Sequence, residues 1–185
     1  MKNGRAISVY DMTEAAAFTA IIAVSAQIHV PLPSGVPVTL QTLAVALCGY
    51  CMGLKRGMSS ILVYILLGLV GAPVFSGFAG GVGVLFGKTG GFIIGFVFLV
   101  FACGTVSETG KKTVQIILGV VGLLLCHLVG TMWYAFLTES GVLASAALVS
   151  LPFIVKDVIC VIGAALLSSK LKGVLDSVRA GHKKR

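Results

Sequence analysis

The sequence predicts an all-α integral membrane protein: one domain over residues 1–185, a six-transmembrane-helix bundle with both termini inside and a Gly-rich outer loop between helices 3 and 4. Three observations predict it. Hydrophobic residues make up 57% of the chain, charged residues 11%, and the mean hydropathy is +1.06, against roughly half apolar and a quarter charged in soluble domains. The apolar residues gather into six runs, and a helix needs roughly 20 residues to cross the hydrocarbon. The basic residues fall between those runs and alternate onto one side.

The first run, residues 12–30, follows Lys2 and Arg5, and Val24-Ser25-Ala26 resembles a signal-peptidase site. Asp11 with Glu14 three residues on reads instead as a helix N-cap, so the segment is kept as the first helix. Its Ala15, Ala16, Ala17, Ala20 and Ala23 form a small-residue face containing Ala16-x-x-x-Ala20, which admits a close helix partner. The residues alone leave open whether that partner is internal or another protein. The second run, 38–54, begins within "VPLPSGVPVTLQTLAV" and sets Thr39, Gln41 and Thr42 within one turn at its outer end. Gln41 both donates and accepts, which suits an amide or ureido ligand and equally a bond to a neighbouring helix.

The third and fourth runs, 58–70 and 89–106, are short and flanked by glycine, a pattern of helices that end near a binding site. Residues 71–91 between them contain eight glycines and no helical period. Pro73, Phe75, Phe78 and Phe86 are too apolar for a solvated linker and would anchor this loop to the bundle. Its "GGVGVLFGKTGG" approaches a phosphate loop, but Val82 stands where the first glycine is needed, and the loop faces outward, away from nucleotide. The fifth run, 113–136, carries Trp133 and Tyr134 at its outer end, where interfacial anchoring and stacking on a ligand both remain open. Residues 144–149 form a further apolar piece, expected as a short surface helix and cut by Pro152 from the sixth run, 151–171.

Lys2 and Arg5, Lys55 and Arg56, Lys111 and Lys112, and the tail residues Lys170, Lys172, Arg179, Lys183, Lys184 and Arg185 fall on one side, which the positive-inside rule makes cytoplasmic; Lys88 alone sits in an outer loop. A net charge of +8 distributed in this way builds no interleaved basic and aromatic surface, so nucleic acid is not a partner. The one ionisable pair inside an apolar run is Lys156-Asp157. Such a residue costs about 2.5–3.5 kcal/mol near the bilayer centre. The two either neutralise each other near the headgroups or face a cavity, since helical neighbours point about 100° apart. His29 and His127 stand apart from each other and from acidic residues, with no metal-ligand pattern.

Cys48, Cys51, Cys103, Cys126 and Cys160 lie in apolar runs and read as helix-packing residues; Cys48-Gly-Tyr-Cys51 has no second pair to complete a redox or zinc site. No nucleophile–base order, HExxH or paired carboxylates appear, so neither an enzyme nor a cofactor is expected. Without a nucleotide site or an inverted repeat, a chain of this size needs a partner to couple energy to transport. The competing reading is a self-sufficient small-molecule facilitator or channel. It requires a polar path through the inner half, where polar residues are few.

Three stretches together carry a family resemblance: "VPVTLQTLAVALCGYCMGLKRG", "VYILLGLVGAPVFSGFAGGVGVLFGKTGGFIIGF", and Pro152-Phe153 with Asp157. They resemble the BioY family, biotin-binding S components of energy-coupling-factor (ECF) transporters. The resemblance implies a prokaryotic plasma-membrane, multi-pass protein in the lipid bilayer that captures biotin, or alternatively another vitamin, for ATP-driven uptake. Its implied partners are a transmembrane coupling protein, docked on the Ala16 and Ala20 face, and two ABC ATPases, which alone use ATP. It also implies a site in the outer half. Asp157 accepts the ureido N–H groups, Gln41 or Thr39 bonds the ureido carbonyl, and Trp133, Tyr134, Phe75 and Phe78 cover the apolar body. Lys156 or Lys88 meets the carboxylate, and the loop containing Gly80 and Gly81 closes above. The family pattern places a lysine one turn after the aspartate. Here Cys160 occupies that position and Lys156 precedes Asp157.

Overall fold

The structure, a computed structural model, describes residues 9–182. Lys2, Arg5, Lys183, Lys184 and Arg185, used in the charge argument, lie outside the described residues. The chain runs α1 (Val9–Gln27), a small hairpin of β1 (His29–Val30) and β2 (Val38–Thr39), α2 (Gln41–Leu69), a 3-10 turn (Ser76–Phe78), α3 (Val82–Leu85), α4 (Gly90–Thr105), α5 (Lys112–Thr138), α6 (Val142–Val149) and α7 (Leu151–His182). The hairpin is antiparallel, pairing His29 with Thr39 and Val30 with Val38.

The second and third apolar runs meet in α2, whose hydrogen bonding passes through a reversal at Gly53, with φ 72° and ψ 179°. Only glycine adopts that backbone without strain. The reversal brings Gly57 onto Gly49, where an added Cβ would lie 3.4 Å from the Gly49 Cα. It also lets Gln41 donate from Nε2 to the Tyr64 hydroxyl at 2.6 Å, two residues that a straight helix would separate by about 34 Å. Thus α2 is two antiparallel arms, residues 41–52 and 54–69. At about 18 and 24 Å they are shorter than the roughly 30 Å hydrocarbon layer.

α2 is the hub, packing against α1, α4 and α7, and α4 is wedged between α2 and α5. The wedge depends on small residues. A Cβ on Gly49 would stand 2.7 Å from Cys103 Cβ, and one on Gly95 2.7 Å from Cys126 Sγ, so these cysteines fill the space their facing glycines leave. All five cysteines are free and buried. Ile22, Tyr50, Ile61, Tyr64, Leu99 and Val161 are fully enclosed and hold the helices together by close van der Waals packing, since lipid tails are as apolar as their side chains. On the outside, Leu62, Leu66, Phe98, Phe101, Ile117, Leu124, Leu128 and Phe136 are exposed. So wide an apolar girdle is solvated by lipid. Among the described residues four helices are long and apolar enough to cross a membrane, Val9–Gln27, Gln41–Leu69, Lys112–Thr138 and Leu151–Val178, and Gly90–Thr105 is a shorter apolar one. This is a membrane protein.

The two ends of the bundle differ. At one, Arg56 pairs with Asp11 at 3.4 Å and Glu14 at 3.1 Å. Asp11 therefore lies inside α1 and ties it to the second arm of α2, instead of capping the helix. Tyr50 donates to the Gln115 carbonyl at 2.7 Å, and Lys112 donates to Gln115 Oε1 at 3.0 Å, the Ala165 carbonyl at 2.5 Å and Ser168 Oγ at 3.3 Å. Gln115 Nε2 reaches the Thr109 carbonyl at 2.8 Å, and Lys172 donates to the Ser107 carbonyl. The few inner polar residues are bonded to one another and to backbone, across α2, α5 and α7.

The opposite end holds the β-hairpin, residues 71–91 and α6. The glycine-rich segment is more regular than its sequence suggests: Phe75 and Ala79 form an antiparallel bridge around the 3-10 turn, and α3 follows. Of its expected anchors, Phe75 is buried, edge-on to Tyr64 at 5.5 Å, whereas Phe78 is 71% exposed and Pro73 and Phe86 also face outward. A polar clamp supplements Phe75: Gln27, at the end of α1, donates to the Phe75 carbonyl at 3.1 Å and accepts from Phe78 N–H at 2.8 Å. The short surface helix expected at 144–149 is α6, with Leu143 fully outward.

Candidate functional site

A cavity of about 360 Å³ opens beneath these outer loops. All the longer helices except α1 contribute to it. The hairpin supplies His29 and Thr39, the first arm of α2 Gln41 and Thr42, and the second arm Tyr64. Phe75 comes from the glycine-rich segment, Phe92 and Phe96 from α4, His127 from α5, and Phe153, Lys156 and Asp157 from α7. Aromatic and aliphatic walls with a few convergent polar groups are what a small-molecule site requires.

The polar groups are set at helix interfaces. Asp157 is buried, with Lys156 Nζ 2.5 Å from its Oδ1 and His127 Nε2 3.2 Å from its Oδ2. Lys156 also donates to the Thr39 carbonyl at 2.6 Å, tying α7 to β2. Both members of the Lys156-Asp157 pair therefore face the cavity and each other. Their opposite charges lower the cost of holding either in apolar surroundings. The Lys156 contact is an ion pair outside hydrogen-bonding geometry, so Oδ1 is a buried oxygen with no hydrogen-bond partner. In a cavity wall it marks where a donor belongs.

His127 is not isolated from acidic residues. Its Nε2 meets Asp157, and its Nδ1 meets Ser150 Oγ at 3.1 Å, which in turn lies 2.6 Å from Thr131 Oγ1. Its acidic partner lies thirty residues along the chain on a different helix, a pairing that packing of α5 on α7 creates. On the opposite wall, Gln41 accepts from Thr39 Oγ1 at 3.3 Å while donating to Tyr64, whose hydroxyl reaches the Val74 carbonyl at 3.3 Å. Gln41 thus makes the cross-helix bond and also lines the cavity. Among the described residues no cluster of His, Cys, Asp and Glu could hold a metal ion.

Of the residues singled out by sequence, Asp157, Lys156, Gln41, Thr39 and Phe75 line this cavity. Trp133, Tyr134 and Lys88 sit around its rim, and Phe78, Gly80 and Gly81 lie outside its lining. Trp133 donates from Nε1 to the Gly87 carbonyl at 2.9 Å and lies 6.3 Å from the Phe86 ring. Tyr134 donates to the Ser34 carbonyl at 3.1 Å, holding the first outer loop. Lys88 is exposed, and its Cδ passes 3.2 Å from where a Cβ on Gly35 would stand, so it spans from one outer loop to the other. Phe78 turns outward. Gly80 lies so near the Ala72 carbonyl that a Cβ would approach it to 2.3 Å, and Gly81 (φ 94°) donates to the Gly68 carbonyl at 2.6 Å. Sequence reasoning passed over His127, Tyr64, Phe92, Phe96 and Phe153 as lining residues, because aromatics in apolar runs carry the same signature as core.

Comparison with known proteins agrees with this architecture. Residues 1–177 match the model of the BioY family. A probable biotin transporter BioY of Pyrococcus horikoshii is 40% identical over 158 residues, covering 85% of this chain and 93% of its own. The biotin transporter BioY of Thermotoga maritima is 36% identical over 162 residues, covering 87% and 95%. The crystal structure of an S-component for biotin from an ECF-type ABC transporter matches with a TM-score of 0.82 at 27% identity, covering 94% of this chain and 95% of that one.

Proposed function

The chain belongs to the BioY family, and from that membership we propose that it is the biotin-binding S component of an ECF-type ABC transporter, capturing biotin at its outer end for ATP-driven uptake. It is a transport subunit and not an enzyme. The observation that ties the function to this cavity is the Asp157 oxygen left without a hydrogen-bond donor amid aromatic walls.

Biotin presents a flat ureido ring with two N–H donors and one carbonyl, an apolar sulfur ring, and a chain ending in a carboxylate. In our reading one ureido N–H group meets Asp157 Oδ1. The Gln41 and Thr39 pair, already bonded together, takes the carbonyl. Phe75 covers the ring system from above, with Trp133, Tyr134 and Phe78 acting at the rim, and the Gly80-Gly81 segment completes the roof. The ammonium of Lys156 is engaged with Asp157 and Thr39, which favours exposed Lys88 as the cation for a carboxylate at the mouth.

The partners we propose are a transmembrane coupling protein and two ABC ATPases, which alone consume ATP; the S component itself uses no cofactor. Docking on α1 is supported by the outward position of Ala16 and Ala20 while Ala15, Phe18 and Ile22 pack inward. We place the chain in the prokaryotic plasma membrane with six crossings, counting α1, the two arms of α2, α4, α5 and α7. That count is supported by the reversal at Gly53. The N-in, C-in orientation is supported by Arg56, Lys112 and Lys172, which share the end opposite the cavity. The bonded inner end speaks against a through-channel, so transport by the chain alone in liposomes would favour the facilitator reading. The direct test is titration calorimetry of the purified chain with biotin. No heat with biotin would overturn the proposal.

A further inference from the structure

The site above uses Asp157 Oδ1. Its Oδ2 is held by a chain of side chains to which the binding reading gives no role: His127 Nε2 at 3.2 Å, Ser150 Oγ from His127 Nδ1 at 3.1 Å, and Thr131 Oγ1 from Ser150 Oγ at 2.6 Å. All four residues are buried. The direction of this chain follows from its chemistry. A carboxylate only accepts, so the proton must sit on Nε2; a neutral ring then accepts at Nδ1 from Ser150, whose oxygen accepts from Thr131. If the ring gains a second proton, Nδ1 donates to Ser150 and the two hydroxyls turn the other way. The bond to Oδ2 survives in either state.

The chain is anchored at both ends. Thr131 sits on the same helix as His127, one turn on, and is therefore its neighbour on one face. Ser150, at the junction of α6 and α7, is fixed by its own N–H donating to the Ala146 carbonyl, and its carbonyl accepts from Phe153 and Ile154, each at 3.0 Å. The Phe92 ring meets His127 edge-on at 5.8 Å, which fixes the imidazole plane.

The geometry points to His127 as a positioning residue for ligand recognition: through Ser150 and Thr131 it holds Asp157 Oδ2, so that Oδ1, beside the Lys156 ammonium, is presented to one N–H donor of a cyclic urea. This deepens, and rests on, the assignment of the cavity to biotin. With Oδ2 released, the Lys156 ion pair at Oδ1 is left to hold the carboxylate, which is then free to turn about it, and the acceptor loses its fixed direction.

The test is a double-mutant cycle read by biotin calorimetry on the full-length chain in detergent, with thermal unfolding recorded for each variant. His127→Leu should weaken biotin about tenfold, and His127→Gln, which keeps an N–H donor toward Asp157, by less than about threefold. In an Asp157→Asn background, His127→Leu should cost less than about twofold more, because its effect passes through the carboxylate. Ser150→Ala leaves the ring in place and should cost about threefold in the otherwise native chain and nothing measurable beside Asp157→Asn; it decides the matter if His127→Leu does not fold. Equal losses in both backgrounds, or His127→Gln as weak as His127→Leu, would mean the ring only packs, leaving the biotin assignment standing. Unchanged affinity in Asp157→Asn alone would instead remove the cavity assignment, and this inference with it.

Discussion

Each end of the bundle contains a lysine whose ammonium reaches a backbone carbonyl on another element: Lys156 to Thr39 at 2.6 Å on the outer side, Lys112 to Ala165 at 2.5 Å on the inner. The residue type and the bond are the same, yet one end borders the candidate site's cavity and the other is a seal. Around Lys112, the Gln115 side chain and Ser168 Oγ are bonded to protein. Beside Lys156, Asp157 Oδ1 has that lysine's ion pair but no hydrogen bond, and it borders open space walled by Phe75, Phe92 and Phe96. A buried charge by itself therefore does not mark a binding site in this molecule. What separates the two is an acceptor left without a donor next to a volume that a ligand can fill.

The comparison can be broken at either end. The largest expected effect is at the outer one: Asp157→Asn should weaken biotin about ten- to a hundredfold, as an N–H-to-carboxylate interaction is lost, measured by calorimetry. At the inner end, Lys112→Met should lower stability by about 1–3 kcal/mol by stranding Gln115 Oε1. It should appear as a lower melting temperature in detergent, with biotin affinity held within about twofold. A tenfold loss of affinity from that change would erase the distinction between seal and site. Tyr134→Phe frees the Ser34 carbonyl of the first outer loop at a cost of about 1 kcal/mol and should speed biotin release a few-fold in stopped-flow displacement. The smallest change is expected at the rim. Lys88→Ala removes an exposed and solvent-screened charge, and should shift affinity by about twofold, an effect that shrinks as salt is raised.

Much of this was legible in the sequence, for reasons that differ by residue. Lys156, Asp157 and Gln41 stood out because polar groups in apolar runs are costly, and all three line the cavity. The separation of the second and third runs was legible because Lys55-Arg56 interrupts them, although the reversal lies at Gly53 and its backbone angles leave no trace in composition. His127 was not legible. A lone histidine in an apolar run says nothing about a partner thirty residues on, and only the packing of α5 on α7 creates the pair. Trp133 and Tyr134 were located at the correct end, but whether an indole lines a cavity or braces its rim depends on a turn of side-chain direction that hydropathy does not record.

Gln27 joins two parts of the molecule that were described separately. Its amide grips the roof segment from both sides of the 3-10 turn, and the same helix carries Ala16 and Ala20 outward near its other end. In mechanical language α1 is a lever with a handle at the end away from the cavity and a hook over the cavity's cover. A neighbour that levers the handle aside tugs directly on the cover, with no relay through the interior of the bundle.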